Sequence, residues 1–321
     1  MGVNRAPLRV LITGAAGHIG LRLAEHLASQ PDIQLRLATR NETRKHISDY
    51  GEVVTGDLTD ANFCMMLLTD CTAVINLASV STQSAVESIA VHHHDRMITN
   101  LLQAAEMNRV HRFIHLSSIH VSGSKLHGVI TETTPIAPST PYGRAHAHGE
   151  KLILQAIADA ATRSDTSCDH LILRCANGFG ASKSTASSPW SLITGDLCLQ
   201  AVAGTSLRLN THGAHQRDFI TISDIVRAIA YFLLQSPQTG LVLLGSGTSV
   251  TLLELAQLIA TRASAMFGRK YSINANTEDT SSPTRYQLNI RHLHEAGFAP
   301  SNDVNHEIDM LLAAAQKHLG L

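Results

Sequence analysis

Short apolar runs alternate with helical patterns through the first half of the chain. A helix is predicted at residues 19–29, where apolar positions recur at helical spacing, and a longer one ends near Asn108. Strands that alternate with helices of these lengths predict right-handed βαβ units, and hence a parallel sheet. The runs that predict its buried strands are "LRVLITG" (8–14), "IQLRLATR" (33–40), "GEVVTGD" (51–57), "CTAVINLAS" (71–79) and "HRFIHLSS" (111–118).

The second half begins with the same alternation of strands and helices, and the pattern becomes less regular after Gly180. A helix from about Tyr142 to Ala161 precedes the strand "HLILRC" (170–175), and a serine-rich loop follows Gly180. We therefore expect an α/β fold with a Rossmann-type doubly wound parallel sheet and a smaller, interleaved C-terminal lobe. The predicted bounds are 1–178 and 218–247 for the sheet domain, and 179–217 and 248–321 for the lobe.

Two later helices carry capping signals at their starts. Ser223 is predicted to be the N-cap of the helix in "RDFITISDIVRAIAYFLL" (217–234), because a serine hydroxyl accepts a first-turn N–H. Thr251 and Glu254 have the spacing of a capping box, in which each side chain accepts the other residue's backbone N–H. Both helices are predicted to begin beside these residues.

The composition excludes several classes of protein. With 321 residues, 44% of them hydrophobic, the chain can bury one large core or two modest ones. A formal net charge of −1 gives no reason to expect a nucleic-acid partner. The five cysteines lack a C-x-x-C pair, which favours reduced thiols. No apolar run is as long as a signal peptide or a membrane span, so a soluble, cytoplasmic protein is expected.

Nineteen histidines are unusual for this length, and three of them are consecutive in "VHHHD" (91–95). Consecutive residues on a helix point about 100° apart, so these three side chains cannot share one metal on that helix alone. We expect a partly exposed helix face there, and no metal site.

The segment "TGAAGHIG" (13–20) joins the first strand to the first helix. Gly14, Gly17 and Gly20 permit a tight turn, a close backbone approach to a pyrophosphate, and close packing of helix on strand. The unpaired N–H groups of the first helical turn, at His18 and Ile19, would face the phosphates. This context predicts a dinucleotide site, and NAD(P) as its cofactor.

The end of the second strand bears on the choice of cofactor. An acidic residue there would bind the adenosine ribose and repel a 2′-phosphate. This chain instead has Thr39, Arg40 and Asn41, with Arg44 and Lys45 close behind. Because a guanidinium offers a charged fork of donors to a phosphate, the pattern favours NADP over NAD. The alternative is that Arg40 is only a solvated residue at the end of a strand.

Segments along almost the whole chain resemble, in order, the extended short-chain dehydrogenase/reductase family of NAD(P)-dependent sugar epimerases and dehydratases. In that family the later segments frame a pocket for a nucleotide-linked sugar, so the resemblance implies this substrate class and a substrate-binding role for the smaller lobe. The matching segments are "TGAAGHIG" (13–20), "FIHLSSIHVSG" (113–123), "LILRCANGFG" (171–180), "QRDFITISDI" (216–225), "LLGSGTSVTLLEL" (243–255) and "LHEAGFAP" (293–300).

The resemblance also implies further cofactor contacts. "GDLTD" (56–60) is similar to the family's adenine-contacting segment, which assigns Asp57 and Leu58 to the base. "VINLAS" (74–79) resembles the strand whose end lies beneath the cofactor, which assigns Leu77, Ala78 and Ser79 to it.

The family's chemistry implies Tyr142 as the acid/base and Ser118 as its hydroxyl partner. The tyrosinate removes a proton from a sugar hydroxyl while hydride passes to the nicotinamide. A lysine four residues later lies on the same helix face and supplies the charge that lowers the tyrosine pKa. Here that residue is His146, which with an unperturbed pKa near 6.5 is mostly neutral at pH 7. The family's lysine also hydrogen-bonds the nicotinamide ribose, so the resemblance assigns Tyr142 and His146 to the cofactor as well, and His146 could donate a hydrogen bond to the ribose. We expect His146 to do the lysine's electrostatic work weakly, with activity that rises at alkaline pH.

The two residues after Ser118 bear on the type of reaction. Sugar 4,6-dehydratases carry aspartate and glutamate where this chain has Ile119 and His120. Without that acid/base pair, water elimination lacks an evident proton donor, so a dehydratase is disfavoured and an epimerase or ketoreductase remains.

The implied substrate contacts lie on several segments. His120 is either a substrate-facing acid/base or a packed histidine at the sheet edge. Arg217 either meets a substrate diphosphate or forms a structural ion pair with a neighbouring carboxylate. The substrate-binding set is Ser79, Ser118, His120, Asn177 and Arg217.

Two hypotheses of function follow. The first is an NAD(P)-dependent oxidoreductase or epimerase that acts on a nucleotide-activated sugar or a related hydroxy/keto compound. The second is a catalytically weak or inactive family member that binds NADP(H) as a sensor or assembly partner. The resemblance further implies a homodimer, paired through the helix before the serine strand and the tyrosine helix.

Overall fold

The computed structural model describes residues 7–40, 47–79, 87–162, 168–182 and 189–321. Three residues of the cofactor prediction, Asn41, Arg44 and Lys45, lie outside the described residues.

The chain divides into two compact units, each built from separate stretches. The first comprises Met1–Ser124, Pro135–Arg174 and Ile229–Val242. The second comprises Lys125–Thr134, Cys175–Ala228 and Leu243–Leu321. The predicted bounds differ at four places, because residues 125–134, 175–178, 218–228 and 243–247 belong to the second unit.

The elements alternate along the chain much as the apolar pattern predicts. The described strands are β1 (Leu8–Thr13), β2 (Ile33–Thr39), β3 (Glu52–Thr55), β4 (Ala73–Asn76), β5 (Arg112–Ser118), β6 (His127–Ile130), β7 (Asp169–Cys175), β8 (Asn177–Phe179), β9 (Leu207–Leu209), β10 (Gln216–Thr221), β11 (Gly240–Leu244), β12 (Ser249–Thr251), β13 (Ile273–Ala275) and β14 (Arg285–Leu288). The described α-helices are α1 (His18–Ala28), α2 (Ala61–Leu67), α3 (Glu87–Met107), α4 (Pro141–Ala161), α5 (Ile193–Val202), α6 (Ile222–Leu234), α7 (Leu252–Phe267), α8 (Arg291–Glu295) and α9 (Val304–His318).

Within the described residues, seven strands form one sheet in the order β11-β7-β5-β4-β1-β2-β3. β1 pairs in parallel with β2 and β4, and parallel pairing continues from β2 to β3 and from β4 to β5. The predicted α/β fold with a large, Rossmann-type parallel sheet is confirmed. Because the strand order reverses between β1 and β4, a crevice forms outside the carboxyl ends of these two strands.

The central strands are buried on both faces, which explains why they read as continuous apolar runs. Val10, Leu11 and Ile12 of β1 are fully buried, as are Val74 and Ile75 of β4. A parallel sheet is covered on both faces, so alternation of polar and apolar residues is lost in its central strands. The packing of these buried strands fixes the positions of their carboxyl ends.

The second unit has its own sheets and its own apolar core. β10 pairs with β8 in parallel and with β12 in antiparallel fashion, while β6 pairs with β14 and β9 with β13. Helices α5, α7 and α9 supply buried residues to this core, among them Leu197, Ile259 and Leu312.

The two predicted helix starts have different outcomes. The capping box of Thr251 and Glu254 is confirmed, because each side chain accepts the other residue's backbone N–H. The prediction for Ser223 is wrong, since α6 begins at Ile222 and Thr221 Oγ1 accepts the Asp224 N–H at 3.0 Å. Ser223 lies inside the first turn, where its hydroxyl donates to the buried Glu307 carboxylate at 2.5 Å.

The structure bears on two features that the composition predicts, the state of the cysteines and the character of the helices. All five cysteines are described, and none forms a disulfide. None of the described helices is long and apolar enough to cross a membrane.

Candidate functional site

The predicted cofactor residues of the first unit meet at one edge of its sheet. The carboxyl ends of parallel strands lie on the same side, and β1, β2, β3, β4 and β5 all end there. The residues that the structure brings to this edge are Gly14 after β1, Thr39 and Arg40 at the end of β2, Asp57 and Leu58 after β3, Leu77, Ala78 and Ser79 after β4, and Ser118 at the end of β5.

The glycine-rich turn has the tight geometry that its sequence predicts. Gly14 has a φ of 64°, and a Cβ there would lie 2.9 Å from backbone atoms of Leu77 and Ala78. A Cβ at Gly20 would lie 2.3 Å from the Gly14 carbonyl oxygen. Side chains are therefore excluded where the turn contacts the end of β4 and where α1 packs on the turn.

The N-terminus of α1 fits an anionic group. The N-cap Gly17 supplies no side-chain acceptor to the first-turn N–H groups, at His18 and Ile19, and the first turn holds no acidic residue. The backbone N–H groups of the first turn and the positive end of the helix dipole both favour a phosphate at this position. The residues present therefore fit the pyrophosphate of a dinucleotide.

The residues assigned to the adenosine end are well placed for a polar ligand. Asp57 is exposed and accepts the Thr59 backbone N–H at 2.9 Å. This hydrogen bond, with a smaller contribution from the charge of Arg40, lowers the pKa of Asp57, so the side chain is an ionised acceptor at neutral pH. Arg40 is exposed at the end of β2, whereas Thr39 and Leu58 are buried.

The predicted catalytic residues lie at the end of β5 and in the first turns of α4. The Thr140 side chain caps α4 by accepting the Gly143 N–H at 3.1 Å, which places the half-buried Tyr142 in the first turn. Ser118 is 6% exposed, and its Oγ accepts the His120 backbone N–H at 3.3 Å. The Tyr142 ring meets the His120 ring edge-on, with centroids 6.0 Å apart.

His146 is buried directly behind the tyrosine. Its ring centroid lies 4.5 Å from that of Tyr142, its Nε2 is 2.9 Å from Ser79 Oγ, and only 2% of the residue is exposed. Burial lowers the pKa of His146 well below 6.5, and the nearby rings of His115, His94 and His120 lower it further. The imidazole of the protein alone is therefore neutral at pH 7, contrary to the expectation that it carries part of the lysine's charge.

His146 belongs to a cluster that the sequence analysis missed. The ring of His94 on α3 is 5.4 Å from that of His146, and the ring of His115 on β5 is 6.0 Å from it. We call His94, His115 and His146 the histidine cluster; each is at most 2% exposed. Gly149 on α4 leaves space for it, because a Cβ there would lie 2.8 Å from His94 Cε1. The predicted exposed face holds only for the other two histidines of "VHHHD".

A row of polar side chains across three strands supports the cluster. Thr13, Asn76 and His115 occupy matching register positions on β1, β4 and β5. The Thr13 hydroxyl donates to Asn76 Oδ1, and Asn76 Nδ2 lies 2.9 Å from His115 Nδ1. The available signal in the sequence is a polar residue inside an otherwise apolar, doubly buried strand, as in "VINLAS" and "FIHLSS".

The cluster predicts a loss of stability in mild acid. Burial lowers the pKa of His94 to about 4 and that of His115 to about 3, whereas an unfolded histidine titrates near 6.5. Because the folded pKa values are depressed, their contribution to stability is complete above pH 6.5 and is lost as the pH falls towards them. His146, whose pKa is lowered in the same way, adds to this loss. Each of the three rings contributes about 1 kcal/mol, so the free energy of unfolding should fall by about 3 kcal/mol between pH 6 and pH 5, measured by urea denaturation.

A pair of variants separates this effect from the titration of other groups. His94→Leu removes one of the three buried rings with a lowered pKa and should remove about a third of the loss between pH 6 and pH 5. His148→Gln changes an exposed histidine on α4, 3.1 Å from Asp95, and measures how much of the loss comes from a surface pair and not from the buried rings. An equal loss in wild type and His94→Leu would show that His94 titrates normally in the folded protein.

A buried ion pair attaches the middle of α4 to the sheet, and the sequence analysis missed this group too. Glu150 is 0% exposed and binds Arg174 of β7 through two hydrogen bonds, at 3.0 and 2.6 Å. The Ser117 hydroxyl on β5 donates to the same carboxylate at 2.6 Å. These contacts fix the helix that carries Tyr142 and His146.

Two predicted substrate residues belong to the second unit. Asn177 on β8 donates from Nδ2 to the Asp218 carbonyl at 2.9 Å. Within the described residues, Arg217 forms no ion pair, and the carboxylate of Asp218 is occupied by the backbone N–H groups of Ser246 and Gly247, each at 2.8 Å. The structural ion pair considered for Arg217 is therefore not formed with its neighbour.

Among the described residues, His212, His215 and Asp279 form a group whose potential ligand atoms all lie within 4.8 Å of one another. Each histidine accepts a backbone N–H at Nδ1, at 3.0 and 3.2 Å. The neutral rings thus carry their protons on Nε2, where a metal would need a lone pair. Both Nε2 atoms lie against Ser281, at 2.8 and 3.1 Å. With a proton on each Nε2 atom, the two rings can donate hydrogen bonds to Ser281, and this arrangement suits a contact between two loops and not a cation site.

Comparisons with known proteins agree with this fold. A curated dTDP-glucose 4,6-dehydratase from Streptomyces niveus is 27% identical over 270 residues, which cover 78% of this chain and 76% of that protein. The solved UDP-N-acetylglucosamine 4-epimerase from Methanobrevibacter ruminantium, in complex with UDP-N-acetylmuramic acid, has a TM-score of 0.82 at 21% identity and covers 98% of this chain and 100% of its own. UDP-glucuronic acid 4-epimerase from Bacillus cereus, in complex with UDP-glucuronic acid and NAD, has a TM-score of 0.80 at 19% identity, with coverages of 97% and 100%.

The structural similarities establish the fold, and a sequence profile establishes the family. The profile of the NAD dependent epimerase/dehydratase family matches residues 10–245, which is most of the chain. The resemblance found in the motifs is thereby confirmed, and the chain belongs to the NAD-dependent epimerase/dehydratase family.

Proposed function

We propose that the chain is a cytoplasmic NAD(P)-dependent oxidoreductase or epimerase that acts on a nucleotide-activated sugar, with Tyr142 as the acid/base. One observation carries the proposal: Tyr142, Ser118 and His146 lie together at the end of the sheet that also carries the glycine-rich turn. The substrate class is supported by the relatives, two of which were solved with UDP-sugars.

The proposed chemistry divides between the bound cofactor and the side chains. A dinucleotide held at the glycine-rich turn would supply the hydride acceptor for the sugar carbon. Tyr142 takes the proton of the hydroxyl on that carbon, and Ser118 holds the same oxygen through its hydroxyl. In the reverse direction Tyr142 would return the proton to the same oxygen.

The comparisons do not support the exclusion of a dehydratase, because several of the similar curated proteins are dTDP-glucose 4,6-dehydratases. The dTDP-glucose 4,6-dehydratase from Streptomyces niveus is among the similar curated proteins. Against this, Ile119 is 2% exposed and carries no proton donor. Water elimination would have to use His120, which is half-buried beside Tyr142. Analysis of the products for loss of water distinguishes the reactions.

The second candidate is a family member that binds dinucleotide without efficient catalysis. The observation that favours it is the neutral, buried His146, whose Nε2 bonds to Ser79. Without a cation beside it, a phenol remains mostly protonated at pH 7.

Product formation separates the two candidates. Purified protein is incubated at pH 7 to 10 with NAD⁺ or NADP⁺ and a panel of UDP- and dTDP-sugars, and the sugars are analysed by NMR and mass spectrometry. The enzyme hypothesis predicts an epimerised or oxidised sugar with at least one substrate. Binding of dinucleotide without turnover at any pH would favour the second candidate.

Arg40 should determine a preference for NADP⁺ over NAD⁺. A charge-assisted contact to a 2′-phosphate implies that Arg40→Ala weakens NADP⁺ binding about tenfold and leaves NAD⁺ binding within about twofold. Calorimetric titration measures both, with the exposed Arg291→Ala as the control. Equal affinity of the wild type for the two cofactors would show the preference to be absent.

We also propose a homodimer paired through α3 and α4. The surface around α4 supports this, because Leu154 and the nearby Ile136 are exposed apolar side chains that line one shallow cavity. Sedimentation velocity should give a species of twice the chain mass. A monomer at tens of micromolar would contradict the dimer.

A further inference from the structure

Two histidines of the second unit join two of its loops. His212 and His215 lie between β9 and β10, and their rings stack with centroids 4.7 Å apart and 18° between the planes. Both rings contact Ser281, in the segment between β13 and β14. His212 Nε2 lies 2.8 Å from the Ser281 carbonyl oxygen, and His215 Nε2 lies 3.1 Å from Ser281 Oγ. The stacked rings therefore connect segments that are 66 to 69 residues apart in the chain.

The partners of His212 leave its ring one protonation state. Its Nδ1 accepts the Ala214 backbone N–H at 3.0 Å, and a backbone N–H can only donate. Its Nε2 faces the carbonyl oxygen of Ser281, which can only accept, so this nitrogen carries the proton. A ring turned by half a rotation would place carbon atoms at both positions and lose both hydrogen bonds. His212 is therefore neutral, with its proton on Nε2.

His215 is held in the same way. Its Nδ1 accepts the Thr284 backbone N–H at 3.2 Å, so the neutral ring carries its proton on Nε2, towards Ser281 Oγ. The Thr284 carbonyl oxygen accepts the Gln216 N–H at 2.9 Å, which continues the contact into the first residue of β10. Arg217 is the next residue along this strand. A proton added at Nδ1 of either ring would oppose an N–H group, so both contacts require neutral rings.

The charged groups around His215 act on it in opposite directions. Burial and the neighbouring ring of His212 lower the pKa of His215, the charge of Asp279 opposes this, and the charge of Arg217 adds to it. Asp279 Oδ2 lies 3.9 Å from the Nε2 of each histidine. Because the pKa of His215 is lowered on balance, the contact is fully stable above the ordinary histidine pKa, near 6.5, and weakens as the pH falls.

We propose that His212 and His215 form a pH-sensitive latch, which holds the turn before β10 against the segment before β14 and thereby positions Arg217. The latch is closed while both rings are neutral. Protonation of either ring breaks its bond to a backbone N–H and places a cation against the stacked partner, so the two segments separate. Histidine titrates between pH 5 and pH 8, which is the range in which such a switch responds. The substrate role of Arg217 rests on the proposed function.

Amide hydrogen exchange, followed by NMR in the protein without ligand, tests the latch. The N–H groups of Ala214 and Thr284 donate to the two rings, and their protection factors should fall about tenfold between pH 7.5 and pH 5.5 for each ring that must be neutral. The Thr131 N–H, which donates to Thr134 Oγ1 in the same unit, is the control and should change less. Constant protection of Ala214 and Thr284, or an equal fall at Thr131, overturns the latch.

A variant without one titrating ring separates protonation from loss of the contact. In His212→Asn the new amide oxygen can accept the N–H two residues later, and it does not titrate. The protection factor of Ala214 should then stay within about threefold between pH 7.5 and pH 5.5. His306→Asn changes an exposed histidine of α9 and should behave as the wild type. A full wild-type pH dependence at Ala214 in His212→Asn also overturns the latch.

Calorimetric titration with UDP-glucose tests the position of Arg217, because this diphosphate ester does not titrate between pH 7.5 and pH 5.5. The affinity of the wild type should fall about tenfold over this range, and the fall should be about threefold in His212→Asn. An affinity that is constant or rises in acid overturns the link from the latch to Arg217. If the wild type binds no UDP-glucose at pH 7.5, the proposed substrate site at Arg217 falls, and hydrogen exchange still decides the latch.

Discussion

Replacement of Tyr142 by phenylalanine is expected to lower the turnover number about 10²–10⁴-fold, because general acid/base catalysis contributes about that factor. The ring of Tyr142 packs edge-on against His146, and phenylalanine preserves this contact while it removes the hydroxyl. The affinity for dinucleotide and the free energy of unfolding should change little. Steady-state kinetics with the sugar identified from the panel measures the loss.

The pH dependence of the same reaction tests the role of His146. Because the imidazole is neutral, the wild-type rate should rise about tenfold for each pH unit between 7 and 9, as the phenolate fraction rises. His146→Lys places a cation on the same helix face, and an opposite charge within about 4–6 Å lowers an acid's pKa by about 1–3 units. The alkaline limb should therefore move to lower pH in this variant.

Two results would contradict these expectations. A wild-type rate that is constant from pH 7 to 9 would mean that the catalytic group is already ionised without a cation. Full activity of Tyr142→Phe would assign the proton transfer to another residue, of which the adjacent His120 is the first to examine.

Replacement of Glu150 by alanine is expected to lower the free energy of unfolding by about 3–5 kcal/mol. Arg174 is 2% exposed, so without Glu150 its guanidinium charge would remain buried and would lose this carboxylate. Ser117 would lose its acceptor at the same time. Urea denaturation at pH 7.5 measures the free energy of unfolding of the wild type and the variant. The expected difference is larger than for an ordinary surface substitution, because a buried charge loses its partner.

Matched variants show whether the buried charge is the cause. The double variant Glu150→Leu with Arg174→Met removes both charges and should be more stable than Glu150→Ala. Glu295→Ala breaks the exposed pair with Arg291 and should have little effect. A double variant that is less stable than Glu150→Ala would place the energy in packing and not in the unpaired charge.

The cofactor end of the site could be predicted because it depends on local sequence and on a topological rule. Gly14 and Gly20 are needed for a turn formed within eight residues, and the structure has that turn. Arg40, Asp57 and Ser79 follow three different strands, and parallel strands bring their carboxyl ends to one edge. The prediction therefore required only the order and direction of the elements.

The catalytic end could be predicted only in part. The motif placed Tyr142 and Ser118 on the right elements, since the spacing within α4 and β5 is local. The state of His146 could not be predicted, because its pKa depends on burial and on rings from α3 and β5. A histidine read in isolation has its solution pKa, and only its surroundings change that value.

The first residue of a helix also could not be predicted from local sequence alone. Ser223 and Thr221 are both good N-cap residues, two positions apart. β10 extends to Thr221 in register with Phe179 of β8, so the strand pairing determines where α6 begins.

By itself, the sequence of this protein determined the α/β alternation, the glycine-rich turn, the family motifs and the position of the tyrosine helix, because each depends on neighbours in the chain or on the periodicity of apolar residues. Only the tertiary structure decided that His94, His115 and His146 share one buried cluster, and that Glu150 meets Arg174 under the same helix. These groups lie on separate helices and strands. Their burial, charge and hydrogen bonds arise only when the elements pack, since the removal of water from polar groups is a property of the folded chain.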